Sequence, residues 1–292
     1  MEIWFWAAVG SAVFAGFSNV YFKTAAAKGY VAEVFSFWGS VITLLLIGAV
    51  YVFIPEPLFG YDWVAFIVLA GGFVAAFTGI MKVYALRYID TTIYFPLYKL
   101  VAPTLAIVFG VLWFGERFST LEWAGMFMGL LIPLLLITKA GDHRQNNLFL
   151  GLVLVLVTGV FSAGSAALNK YGIDSGIPIL VVFGYMSVGL FVGNLASIAY
   201  KGGLLNLYNK IKSDTSEGLL FAGGMRALLI SISVGFSLFA YASGGTLAVV
   251  QTIHSMYILI PIVLAIIFYN EHWNLQKVAA IVLSVGALAL LG

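Results

Sequence analysis

Ten stretches of 17 to 24 mainly apolar residues follow one another along this 292-residue chain. They run over 3–23, 32–53, 63–86, 92–114, 120–138, 148–170, 177–200, 218–241, 246–269 and 275–291. A helix rises 1.5 Å per residue and needs about 20 apolar residues to cross the hydrocarbon core of a bilayer. Each stretch therefore reads as a spanning helix. The gaps carry loop signals: Pro55-Glu56-Pro57, Gly115-Glu116-Arg117, Gly141 to Asn147, and Lys201 to Glu217. A transmembrane barrel would show segments of about ten residues with alternating polarity, whereas these runs are continuous. The fold class expected is all-α: a polytopic membrane protein with ten transmembrane helices. The first run starts close to Met1 and lacks the basic flank of a cleaved signal peptide, so it reads as a span.

Composition narrows the function. Charged residues make up 9% of the chain, 14 Lys and Arg against 12 Asp and Glu. An ordinary soluble domain carries about 25%, so this surface cannot face water. A cytosolic enzyme, a nucleic-acid binder and a disordered chain are excluded. With no cysteine, there is no disulfide framework or thiolate metal site. His143, His254 and His272 form no metal-ligand spacing, and no metal or cofactor is expected. Ten spans leave little mass outside the membrane, so function sits within the bundle. The expected partners are a small-molecule substrate and the lipid bilayer, with no nucleic acid, for a monomer or homodimer in the cell membrane.

The chain reads as a duplication. At an offset of 155, Ala85 falls on Ala240, Thr91 on Thr246, Glu116 on Glu271, and Gly125/Gly129 on Ala280/Ser284. At an offset of 147, Val13-Phe14 falls on Val160-Phe161, Ser18 on Ser165, Lys23 on Lys170 and Gly29 on Gly176. Paired polar positions carry the weight, because apolar identities arise easily by chance. The halves are 1–145 and 146–292. Five helices is an odd number, so the second half enters from the opposite side. That gives two inverted five-helix repeats, with a site near the midplane between them.

Orientation follows from basic loop residues. The loops after spans 1, 3, 5, 7 and 9 hold Lys28, Arg87, Lys139, Arg144, Lys201, Lys210, Lys212 and Lys277. The other side holds Arg117 and Lys170. Eight against two places both termini outside the cytoplasm.

Ionisable residues inside spans are costly and mark function by default. Lys99 lies in the fourth span, in Tyr94-Phe95-Pro96-Leu97-Tyr98-Lys99, and its repeat partner is His254 in the ninth. Both are expected to face the axis between the halves. Tyr94, Tyr98 and the facing Gln251 add hydrogen-bonding groups. Pro96, Pro103 and Pro261 can free backbone carbonyls. Arg226 lies deep in the eighth span with no acid within a turn. Asn19 in the first span lines the pocket or joins helices by hydrogen bonds. The expected substrate-binding set is Lys99, His254, Tyr98, Gln251, Tyr94, Asn19 and Arg226, with His254 a candidate for proton coupling. Lys23, Lys82 and Lys170 add basic charge at the vestibules. Deep acids are missing, which favours a substrate bearing a carboxylate or phosphate. Gly125/Gly129 and Gly189/Gly193 read as helix-packing faces.

These features resemble the drug/metabolite transporter superfamily, in its ten-helix EamA-type branch. The likeness rests on Ala85-Leu86-Arg87-Tyr88-Ile89-Asp90, on Pro103 to Phe114 leading into Gly115-Glu116-Arg117, and on the small residues from Gly125. In the second half it rests on Ala240-Tyr241-Ala242, Pro261 and Asn270-Glu271-His272, where Asn replaces the usual Gly. The resemblance implies a transporter of metabolites such as amino acids, sugars or nucleotide sugars. It works by alternating access, with the first, third, fourth, sixth, eighth and ninth spans lining the cavity. Members of that family keep both termini in the cytoplasm, opposite to the charge count here. A lipid or amphiphile flippase of the same fold is the alternative. A membrane-embedded enzyme fits worse, because no carboxylate cluster or nucleophile–base pair occurs.

Overall fold

The computed structural model describes residues 2–57, 60–136, 147–202, 207–260 and 275–292. In chain order the helices are α1 (Ile3–Ala27), α2 (Ala32–Phe53), α3 (Asp62–Tyr88), α4 (Thr91–Leu112), α5 (Thr120–Leu135) and α6 (Leu148–Asp174). There follow α7 (Ile179–Gly202), α8 (Leu207–Asp214), α9 (Glu217–Ala242), α10 (Leu247–Ser255) and α11 (Leu275–Leu291). Among the described residues, seven helices are long and apolar enough to cross a membrane. Thr120–Leu135, Leu247–Ile258 and Val278–Leu291 are shorter apolar helices.

Helix ends follow local chemistry. Gly29 (φ 66°) closes α1, where Lys28 N–H donates to the Thr24 carbonyl at 2.9 Å and Tyr30 N–H to Ala25 at 3.0 Å. Gly176 (φ 84°) closes α6 in the same manner, with Ser175 donating to Tyr171 at 3.0 Å and Ile177 to Gly172 at 3.2 Å. Both turns satisfy orphan carbonyls through a left-handed residue that glycine adopts without a Cβ clash. Ser119 and Glu122 form a reciprocal capping box at the start of α5.

Two elements differ from the sequence reading. The run over 246–269 is not one unbroken helix: α10 tightens into a 3₁₀ turn at Met256–Ile258. The cause is Pro261, which has no N–H to offer the Tyr257 carbonyl four residues earlier. The rest of that run, with Pro261, lies outside the described residues, as do Glu271, Lys139 and Arg144. The polar stretch 201–217, read as loop, contains the short helix α8.

α3 packs along α6 and α7, and α1 along α9 and α10; α2 lies against α7 and α9, α4 against α6 and α10, and α5 against α11. Close backbone approach makes the α3–α7 seam. A Cβ on Gly72 would stand 1.9 Å from the Met186 carbonyl oxygen, and one on Gly189 would stand 2.0 Å from that of Leu69. The outward surface is apolar: Leu45, Val52, Phe66, Leu112 and Phe149 are all exposed. In water such a surface would drive aggregation; in a bilayer it meets lipid tails.

Candidate functional site

A cavity of about 200 Å³ lies between α1, α2, α3, α4, α6, α7, α9 and α10. α2 contributes Thr43, and α7 contributes Phe183, Met186 and Leu190, so the lining extends beyond the six spans expected.

One end is cationic. Lys82 from α3 and Arg226 from α9 both lie on the ring of Phe22, with Nζ 4.7 Å and Cζ 4.2 Å from its centroid. Lys82 Nζ also lies 4.5 Å from the Tyr98 ring centre and donates to Asn19 Oδ1 at 3.4 Å. Arg226 fits closely against α2 because Gly39 carries no side chain there. A Cβ on Gly39 would lie 3.0 Å from one guanidinium nitrogen, and one on Gly79 would lie 3.8 Å from the other. Arg226 Nε is buried without a hydrogen-bond partner. Among the described residues no Asp or Glu lines the cavity.

About 12 Å along α1, eight residues at 1.5 Å each, stands a hydroxyl cluster. Ser11 Oγ lies 2.6 Å from Ser237 Oγ, 3.1 Å from Ser233 Oγ and 2.9 Å from His254 Nδ1. Beyond it, Gln251 donates to the Tyr241 hydroxyl at 2.7 Å. Lys170 flanks that pair, bonded to Asp174 at 2.7 Å and lying over the Phe114 and Tyr241 rings. Nearby, Glu116 reaches from the α4–α5 loop to the first turn of α10. It accepts from Leu247 N–H at 2.5 Å and Ala248 N–H at 3.2 Å. Burial pushes its carboxyl above the ordinary range, against the lowering effect of those two amides and of Lys170, while Asp174 adds to the rise.

Of the residues singled out by sequence, Asn19, Tyr98, Arg226, Gln251 and His254 line this cavity. Lys99 and Tyr94 do not. Lys99 is 3% exposed and lies behind the wall, Nζ 3.7 Å from the Tyr257 ring centre and 5.2 Å from that of Tyr98. Tyr94 is fully buried and stacks on Tyr98 with centroids 5.8 Å apart. Of the three vestibular lysines, Lys82 is a wall residue, Lys170 is ion-paired, and Lys23 is exposed. Sequence reasoning places Lys82 at a vestibule and outside the substrate-binding set, although it lies six residues before the end of α3 and is about as deep as Lys99. It passed over Ser11, Ser233 and Ser237, since serines inside spans are common. Tyr98 is held in place by Ser162, hydroxyl to hydroxyl at 2.8 Å.

Residues 2–138 match the family model of the EamA-like transporter family, part of the drug/metabolite transporter superfamily. The first half of the chain is thus similar in sequence to that family. Seven of the described helices are long and apolar enough to cross a membrane, which with this likeness indicates a multi-pass membrane protein. In structure the chain is similar to a protein known from a crystal structure, at a TM-score of 0.70 and 16% identity. The match covers 97% of this chain and 94% of that one, a likeness of fold alone. Comparison with curated proteins by sequence gives no match. The EamA-like half supplies Asn19, Phe22, Lys82 and Tyr98 to the cavity, and the second half supplies Arg226, Gln251 and His254.

Proposed function

We propose that this chain is a secondary transporter of a small polar metabolite, worked by alternating access around the central cavity. The observation that carries this reading is the cavity itself: a space between the helices with two cations and no acid in its described lining, shared between the two halves. Ten spans in two inverted repeats, 1–145 and 146–292, complete the proposal. The packing supports it. Exchanging α1–α5 for α6, α7, α9, α10 and α11 turns the α3–α6 contact into α9–α1, α3–α7 into α9–α2, and α4–α6 into α10–α1, all of which occur. The matching turns at Gly29 and Gly176 support it too. Gly292 lies against Phe5, so α11 ends on the side where α1 begins, as an even number of crossings requires. In the alternating-access picture, interactions at the cavity must be re-formed from either side.

Lys82, Arg226, Asn19, Tyr98, Gln251 and His254 form the substrate wall in this reading, and Lys99 and Tyr94 support it from behind. Flux of a labelled metabolite panel into proteoliposomes tests it. Lys82→Met and Arg226→Met should each lower uptake at least about tenfold, the effect of losing one charge-assisted contact of about 1.5–3 kcal/mol. Lys99→Met should raise KM and leave residual flux. Wild-type uptake by Lys82→Met and Arg226→Met sinks the assignment of this cavity. Equal gradient-driven flux in wild type and His254→Gln removes His254 as the coupling residue.

A further inference from the structure

We infer that the cationic end of the cavity is a subsite for a doubly charged anionic group, a phosphate monoester or a dicarboxylate, and not for a zwitterion. This rests on the transporter reading above and names its substrate class. Lys82 and Arg226 both lie within 5 Å of the centre of a single ring, Phe22, so their charges act on one small volume. Neither has an ion-pair partner among the described residues, where Lys170 with Asp174 forms a salt bridge. The hydrogen bond of Lys82 to Asn19 is long at 3.4 Å, and Arg226 Nε has no partner although buried. α2 is hollowed at Gly39, where a Cβ would crowd the guanidinium at 3.0 Å. Inside a bilayer an uncompensated charge is costly, and two like charges side by side cost more. A group with two negative charges answers both cations, and the planar guanidinium fork matches the oxygens of a phosphate or carboxylate. A single carboxylate answers one. The ammonium of an amino acid would add a third positive charge to a lining that holds no acid among its described residues.

The test is thermal unfolding of the purified full chain, followed by tryptophan fluorescence at constant ionic strength. Four probes are added separately: inorganic phosphate, malate, lactate and serine. Phosphate or malate should raise Tm by roughly 3 °C at ten times its Kd, and which of the two does so separates the phosphate from the dicarboxylate source. Lactate and serine should leave Tm within a degree. The dianion shift should fall to the serine level in Arg226→Gln and in Lys82→Gln, whose Tm without probe should equal or exceed wild type because an uncompensated charge has gone. Serine stabilising as strongly as malate overturns the inference, as does a dianion shift that survives both substitutions or the lack of any shift. Proteoliposome flux separates this from the transporter reading. Serine uptake without malate or phosphate uptake leaves a transporter and removes the dianion site; dianion binding without flux of any probe leaves the site and removes the transporter.

Discussion

Glu116 joins the two halves through two backbone hydrogen bonds. Its carboxylate accepts from the first turn of α10, where orphan amides and the helix dipole favour negative charge. Gly110 leaves it room, since a Cβ there would lie 2.3 Å from Glu116 Oε2. Glu116→Ala should lower stability by about 1–2 kcal/mol, the range of a lost N-cap. Burial holds the carboxyl above the ordinary range, with Lys170, Asp174 and Tyr241 as its titratable neighbours. A folded-state carboxyl with a raised pKa keeps a proton that the unfolded chain has released. Stability from this group is therefore greatest at and below the ordinary carboxylate range, and falls as pH rises through the raised pKa. Glu116→Gln should flatten that part of the pH profile of the unfolding midpoint. A profile unchanged from wild type removes Glu116 as its source.

At the scale of elements, the α3–α7 seam depends on missing side chains. Gly72 and Gly189 bring Cα–H groups onto the carbonyls of Met186 and Leu69, the close approach by which helices gain dispersion contacts and weak Cα–H···O bonds in lipid. Gly189→Ala or Gly72→Ala places a methyl group against backbone, so the helices must part, at a cost of about 2–3 kcal/mol. Gly48→Ala in α2 meets nothing within 4 Å and should be neutral or stabilising by up to about 1 kcal/mol. Unfolding midpoints in detergent compare them, and equal effects at Gly48 and Gly189 would contradict the seam. The sequence made Gly189/Gly193 legible as a packing face because small residues at i and i+4 share one side of a helix. It made the spans legible because their hydropathy is continuous. The break after Ser255 was signalled by Pro261, but a proline can bend, loosen or end a helix, and tertiary packing decides which. Lys99 shows a different limit. Depth along a helix can be counted from sequence, whereas the direction a side chain takes depends on a rotation that small errors in helix start displace by 100° per residue. Lys82 reaches the cavity wall and Lys99 does not, although each stands about seven residues from a helix end.

At the scale of the molecule, the contacts sort the loops into two sides. Arg87 at the end of α3 donates to the Tyr30 carbonyl after α1, and the Tyr30 hydroxyl lies 2.6 Å from where a Cβ on Gly218 would sit, at the start of α9. The turn holding Lys28, the end of α3 and the start of α9 therefore share one side. Phe5 and Gly292 meet on the other. The side of Tyr30 gathers Lys28, Arg87 and the α8 residue Lys212, and basic loops stay in the cytoplasm. Because the chain has no cysteine, a single introduced thiol reports its side directly. With the termini outside, Glu2→Cys should react with a membrane-impermeant maleimide on intact cells, and Lys212→Cys only after permeabilisation. The reverse pattern would place the termini in the cytoplasm, as in the family this chain resembles. The outcome also orients the site. Lys82 lies six residues before the end of α3 and Arg226 nine residues after the start of α9, so the cationic end of the cavity lies toward the Tyr30 side. Labelling of Glu2→Cys from outside would thus place the two cations toward the cytoplasm, where an anion entering from within meets them first.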